Sequence, residues 1–119
     1  MELSGVHHVS LNVNDVGEAL PLYVDVLGLK MIPRPDFGFP GAWLEVADGR
    51  QVHLIEVYDF VPDEGQHFAF AVDDLDAALA HLDDNDVKHT KISEIPGTPG
   101  RQAFFRDATG NSIELNQPA

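Results

Sequence analysis

The chain has 119 residues, 44% of them hydrophobic, no cysteine and a formal net charge of −13. That is one domain's length, with each half marginal by itself; no disulfide framework, thiolate nucleophile or zinc–cysteine site is available, and the acidity opposes a nucleic-acid backbone or an anionic membrane surface as partner. No apolar run approaches the ~20 residues of a membrane helix, and the N-terminus lacks a basic-then-apolar leader pattern, so a cytoplasmic protein with no nucleic-acid or membrane partner is expected.

Residues 6–13 alternate, with Val9, Leu11 and Val13 on one side and His8, Ser10 and Asn12 on the other, which predicts a half-buried strand. Asn14-Asp15 offers an N-cap, and Asp15 with Glu18 resembles a capping box. Val16, Ala19, Leu20, Tyr23, Val24 and Leu27 then recur at helical spacing, with Pro21 as a kink and Gly28 as the stop. Strands are expected at about 29–32, 42–46 and 51–58, the last two joined by an Asp48-Gly49 turn. The Pro- and Phe-containing stretch 33–41 is a loop.

After a linker over 59–65 the same order returns. Residues 66–72 are a strand with Phe68, Phe70 and Val72 on one face and His67, Ala69 and Ala71 on the other. Asp73 or Asp74 caps a helix to about Asp84 with a Leu75, Ala78, Leu79, Leu82 stripe. Strands are expected at about 88–92, 102–106 and 112–116. The chain is thus one α+β domain of two βαβββ modules, about 4–58 and 66–117. The faces away from the helices, small and polar, look like the lining of a cup.

The repeat aligns candidate chemistry. His8 falls on His67 at an offset of 59, and His53 falls on Glu114 at an offset of 61. Two copies of one unit, each with one ligand early and one late, supply the set His8, His53, His67 and Glu114. Imidazole and carboxylate without thiolate suit zinc, nickel, iron(II), manganese or cobalt. Glu114, between Ile113 and Leu115 in a strand expected to be buried, needs a partner, and a metal is one. Trp43 and Phe39 are candidates to line the pocket. Arg34 and Arg101, placed in the two long loops, are candidates for an anionic substrate group. No phosphate loop, nucleophile elbow or H-E-x-x-H motif competes.

With these residues the sequence resembles the vicinal oxygen chelate superfamily, which groups glyoxalase I, bleomycin-resistance proteins, fosfomycin-resistance enzymes and extradiol dioxygenases. The matching stretches are His7-His8-Val9-Ser10-Leu11, Val26-Leu27-Gly28-Leu29, Gln51-Val52-His53-Leu54, His67-Phe68-Ala69-Phe70 and Phe105 through Leu115. The resemblance implies paired βαβββ modules in a cupped mixed sheet around a divalent metal, with His8, His67 and Glu114 at the usual ligand positions. It also implies a homodimer in which a metal is shared between chains. His53 stands where glyoxalase I carries a carboxylate. The leading expectation is a metal-dependent enzyme of the glyoxalase I kind, acting on a small substrate with neighbouring oxygens through an enediolate-like intermediate, with Glu114 as ligand and proton shuttle. The alternatives are a protein that sequesters an antibiotic or other ligand without metal, and an iron(II) extradiol-type dioxygenase.

Overall fold

The computed structural model describes residues 1–119. The chain divides into two compact units, Met1–Val61 and Pro62–Ala119. The first contains β1 (His8–Val13), α1 (Val16–Leu20), a π-helical turn (Pro21–Val26), β2 (Lys30–Ile32), β3 (Gly41–Glu45) and β4 (Gln51–Glu56). The second contains β5 (His67–Ala71), α2 (Leu75–Asp84), β6 (Ser93–Glu94), β7 (Arg101–Arg106) and β8 (Ser112–Gln117).

Each unit is a four-stranded mixed sheet, ordered β1-β4-β3-β2 and β5-β8-β7-β6. The first strand of each pairs parallel to the last, and the intervening pairs are antiparallel. The helix makes the crossover that a parallel pair requires. The expected βαβββ order therefore holds in both halves, and the architecture is α+β.

The repeat extends to strand register. His8 stands opposite Gln51 and Ser10 opposite His53; His67 stands opposite Ser112 and Ala69 opposite Glu114. Trp43 faces His53 across β3–β4 as Phe104 faces Glu114 across β7–β8. A one-residue slip would turn every ligand candidate into the helix-packed face. The apolar alternation prevents it: Val13, Leu44, Val52 and Leu54 pack with Ala19 and Tyr23, and Ala103, Phe105, Ile113 and Leu115 pack with Leu75, Leu79 and Leu82, all buried.

Both helices are held at their N-termini in the same way. Asp15 accepts from Glu18 N and Asp74 from Ala77 N, each at 3.0 Å. The last strand adds a second acceptor: Glu56 Oε1 takes Val16 N–H at 3.0 Å and Gln117 Oε1 takes Leu75 N–H at 2.8 Å. These bonds satisfy N–H groups that a helix cannot pair internally.

Two expectations change in detail. The first helix changes from α to π geometry at Pro21. Proline has no N–H to give the preceding turn, and the chain widens there to a π turn in which Leu27 N–H reaches Leu22 O at 2.8 Å. In the second unit the strand expected over 88–92 is displaced. Only Ser93–Glu94 pairs regularly with β7, and His89 makes an isolated bridge to Phe105.

Candidate metal and ligand site

Alternation places His8, Ser10, Gln51, His53, Gly41 and Trp43 on the face of the first sheet away from its helix. Because β4 lies between β1 and β3, the His53 ring is stacked from both sides. His8 lies 4.0 Å away at 19°, and Trp43 4.4 Å away at 6°. Each such contact contributes about 0.5–1.5 kcal/mol beyond burial. His53 is only 7% exposed. Burial, then the neighbouring charges of His8, His7 and Arg34, hold its imidazole below the ordinary histidine value. It is therefore neutral at pH 7, with a lone pair to offer. Its Nε2 meets Gln51 Oε1 at 2.8 Å. The carbonyl oxygen only accepts, so Nε2 carries the proton and Nδ1 the lone pair.

Stacking has a consequence for ligation. Lone pairs of an imidazole lie in its ring plane, and two nearly parallel rings 4.0 Å apart direct theirs within separate, nearly parallel planes. His8 and His53 are brought together but do not converge on one ion until a ring turns. His8 Nδ1 is engaged with His7 Nδ1 at 2.9 Å, so its Nε2 is the nitrogen with no bond in the structure. His7 thus supports His8 from the adjoining position.

The second unit differs. His67 Nδ1 donates to Gly65 O at 2.8 Å, and His67 Nε2 faces Glu114 Oε1 at 3.1 Å. Asn116 Nδ2 donates to the other carboxylate oxygen, Oε2, at 2.7 Å. Glu114 is 7% exposed. With Nδ1–H committed to a carbonyl, Nε2 of a neutral ring presents a lone pair to an acceptor oxygen. That arrangement is repulsive unless a proton or a cation lies between them. Two ligands about 2.1 Å from a common metal stand roughly 3.0–3.4 Å apart at octahedral or tetrahedral angles, which includes the observed separation. A backbone carbonyl on the far ring nitrogen and an amide on the far carboxylate oxygen are the outer supports that metal ligands use. The separation of His67 and Glu114 is thus compatible with a shared divalent ion, as it is with a hydrogen-bonded pair. Phe104 packs edge-on to His67 at 5.3 Å and walls the pair. Three or more ligand side chains are not gathered at one point anywhere in the chain.

The candidates for substrate contact separate. Trp43 is part of the His53 stack. Phe39 lies 5.9 Å from Phe37, which lies 6.1 Å from Trp43. Phe37 and Phe39 are 52% and 45% exposed. Arg101 requires correction. It opens β7 instead of lying in a loop, on the helix-packed face opposite Gln117. Its guanidinium is committed to Asp76 at 3.1 Å and Gln117 at 3.0 Å, so it ties the strand to α2 and does not reach the ligand face. Arg34, in the corresponding loop of the first unit, lies over Phe37 and Phe39, 4.9 and 5.0 Å from their ring centres.

Sequence reasoning passed over the supports Gln51, Asn116 and Gly65. The first two carried a usable signal, since a polar residue two positions from a ligand on a strand shares its face. Gly65 acts through its carbonyl and carried none.

The family model described as the Glyoxalase/Bleomycin resistance protein/Dioxygenase superfamily matches residues 5–115. The uncharacterized protein YaeR of Escherichia coli (strain K12) is 32% identical over 123 residues, covering 95% of both chains. TnmS3, an antibiotic binding protein from Streptomyces sp. CB03234, is 30% identical with a TM-score of 0.80, covering 100% of this chain and 99% of that one. A putative glyoxalase family protein from Bacillus anthracis superposes with a TM-score of 0.89 at 21% identity, covering 100% and 98%, and shows the shared fold.

Proposed function

The chain belongs to the glyoxalase/bleomycin resistance protein/dioxygenase superfamily, and from that premise we propose that it is a divalent-metal-dependent enzyme of the glyoxalase kind. Its substrate is a small molecule with two neighbouring oxygens. The supporting observation is the His67–Glu114 pair, 3.1 Å apart with both outer atoms already held. His67 and Glu114 are the proposed core of the metal site, with His8 and His53, of the same chain or of a second copy, as the further ligands.

A bound divalent ion supplies Lewis-acid polarisation of the substrate oxygens. The remaining work falls to the chain. Asn116 fixes Glu114 Oε2 and leaves Oε1, the oxygen that faces His67, to hold the ion and, when released from it, to take and return a proton. Ala69, the register partner of Glu114 on β5, sets only a methyl group beside it. Gly65 holds the His67 ring in one tautomer. His53, neutral and stacked, adds a second imidazole once Gln51 releases it or Nδ1 is used.

The test is elemental analysis of protein purified without chelators or a histidine tag. About one divalent ion per chain is expected, as for a mononuclear site, with little left in His67→Ala or in a His8/His67 double-alanine variant. Asn116→Ala should bind metal some 10–100-fold more weakly. Glu114→Gln should stay folded and lose turnover; full activity in that variant rejects the role of the carboxylate. The identity of the ion, with oxygen uptake on a catechol, distinguishes an isomerase from a dioxygenase.

A second reading is favoured by a separate observation. TnmS3 is named as an antibiotic binding protein and is 30% identical over the whole chain, and Phe37 and Phe39 present exposed rings beside Trp43. A sequestering protein needs no metal. If neither nickel, zinc, manganese, cobalt nor iron(II) is taken up, and His67→Ala leaves ligand affinity intact, sequestration replaces catalysis.

A further inference from the structure

Arg34 lies between Pro33 and Pro35. A residue before proline is disfavoured in the helical region and pushed towards extended conformations, and the rings of Pro33 and Pro35 fix their own φ angles on either side of it. The segment that carries the guanidinium is therefore stiff before any ligand arrives. Its Nη1 donates to Phe39 O at 3.1 Å, and the group lies over both Phe37 and Phe39. Gly41 makes room beneath it: a Cβ there would stand 2.8 Å from Arg34 Cζ and Nε, and 2.6 Å from Leu54 O. Gly41 is two residues before Trp43 on the same face of β3. The guanidinium thus lies two strand positions from Trp43 on the same face, over the rings that adjoin it.

The other arginines are occupied. Arg50 pairs with Asp48 and Arg101 with Asp76, and Arg106 donates to Gly110 O. Arg34 has no carboxylate within ion-pair distance, in a chain with 20 acidic residues. A rigid fork with free donors, bordered by half-exposed rings, is a recognition element for a planar anion attached to an apolar ring.

We propose that Arg34, with Phe37, Phe39 and Trp43, selects small organic carboxylates that carry an apolar ring, the carboxylate on the guanidinium and the ring against the aromatic side chains. This deepens the proposed function and rests on its reading that the chain takes a small-molecule ligand. It holds whether that molecule is turned over or retained.

Trp43 is the only tryptophan, so its fluorescence reports on this face alone. The probes are 3-phenylpropionate and its uncharged amide, 3-phenylpropionamide, titrated into the full chain. The acid should give a saturable change at millimolar concentrations, with the amide about tenfold weaker, the size expected from losing one charge-assisted contact. Arg34→Gln should bind the acid as weakly as the amide, and Arg34→Lys should fall between, since it keeps the charge without the fork. Circular dichroism of each variant checks its fold. Equal binding of acid and amide, an undiminished preference in Arg34→Gln, or no saturable change overturns the assignment. Metal content of the same samples separates the two proposals. A chain that holds metal but shows no carboxylate preference loses only the Arg34 assignment. One that prefers the carboxylate but takes up no metal loses only the enzyme reading.

Discussion

At the residue scale, two histidines with similar partners serve different ends. His89, like His67, is flanked by acceptors on both ring nitrogens: Thr90 O at Nδ1 and Asp83 Oδ1 at Nε2, each at 2.7 Å. The hydrogen bond to Thr90 above all, with the bond and charge of Asp83, raises its pKa against some desolvation. Asp83 is largely in solvent, its side chain 67% exposed, so this is a structural clip between the end of α2 and the segment that follows it. A raised folded-state pKa stabilises the fold fully below the unfolded value of about 6.5, and the gain fades as pH rises through the folded value. His89→Gln should therefore lower thermal stability near pH 5.5, by about 0.2–1 kcal/mol as exposed pairs do, and the deficit should shrink towards pH 8.5. A deficit that is constant with pH would assign the effect to packing. Glu114, in contrast, is buried and held by Asn116, and that difference is why the proposal puts an ion at its pair with His67.

At the scale of elements, the turn between β7 and β8 fixes where Glu114 falls. Asp107 Oδ1 accepts from Thr109 N, Gly110 N and Asn111 N at 3.1, 3.0 and 2.8 Å, and its Oδ2 accepts from Asn111 Nδ2 at 2.9 Å. The residue is 6% exposed. Asp107→Ala would strip a partner from the buried Asn111 amide and from two part-buried ones at once, and a loss of about 2–4 kcal/mol is expected in urea unfolding. The helix supports act more mildly. Gln117 joins the N-terminus of α2 to the last strand, and Gln117→Ala should cost about 0.5–2 kcal/mol, in the range of a lost cap. It should also release Arg101, which shares the same side-chain oxygen.

At the scale of the whole molecule, the duplicated unit is the organising fact. Each half carries its own sheet, helix and ligand candidates, with matching register. No helix is long and apolar enough to cross a membrane. Metal binding, if the proposal holds, is linked to folding. At a free-ion concentration one hundred times Kd the native state gains about 2.7 kcal/mol, visible as a rise in melting temperature. The rise should be absent in Glu114→Gln, whose amide is a poorer ligand than the carboxylate. A homodimer remains part of the proposal, and sedimentation of the metal-loaded protein tests it.

Much of this was legible in the sequence because it depends on short-range periodicity. The alternation in β1 and β5, the Asp15 and Asp74 caps, and the offsets that align His8 with His67 and His53 with Glu114 are local patterns. Strand geometry converts them directly into faces. Register across strands, ring stacking and the partners of each guanidinium are not local. Arg34 and Arg101 look alike in sequence, each read as part of a Pro/Gly loop. Only the fold puts Arg101 on the helix side with Asp76 and Arg34 over Gly41 among aromatic rings. The same holds for the four ligand candidates. Sequence aligned them as equals, whereas the structure makes His67 and Glu114 a directly contacting pair and His8 and His53 a stack. The reason is physical: a strand's period fixes which way a side chain points, but what it meets there is set by residues tens of positions away.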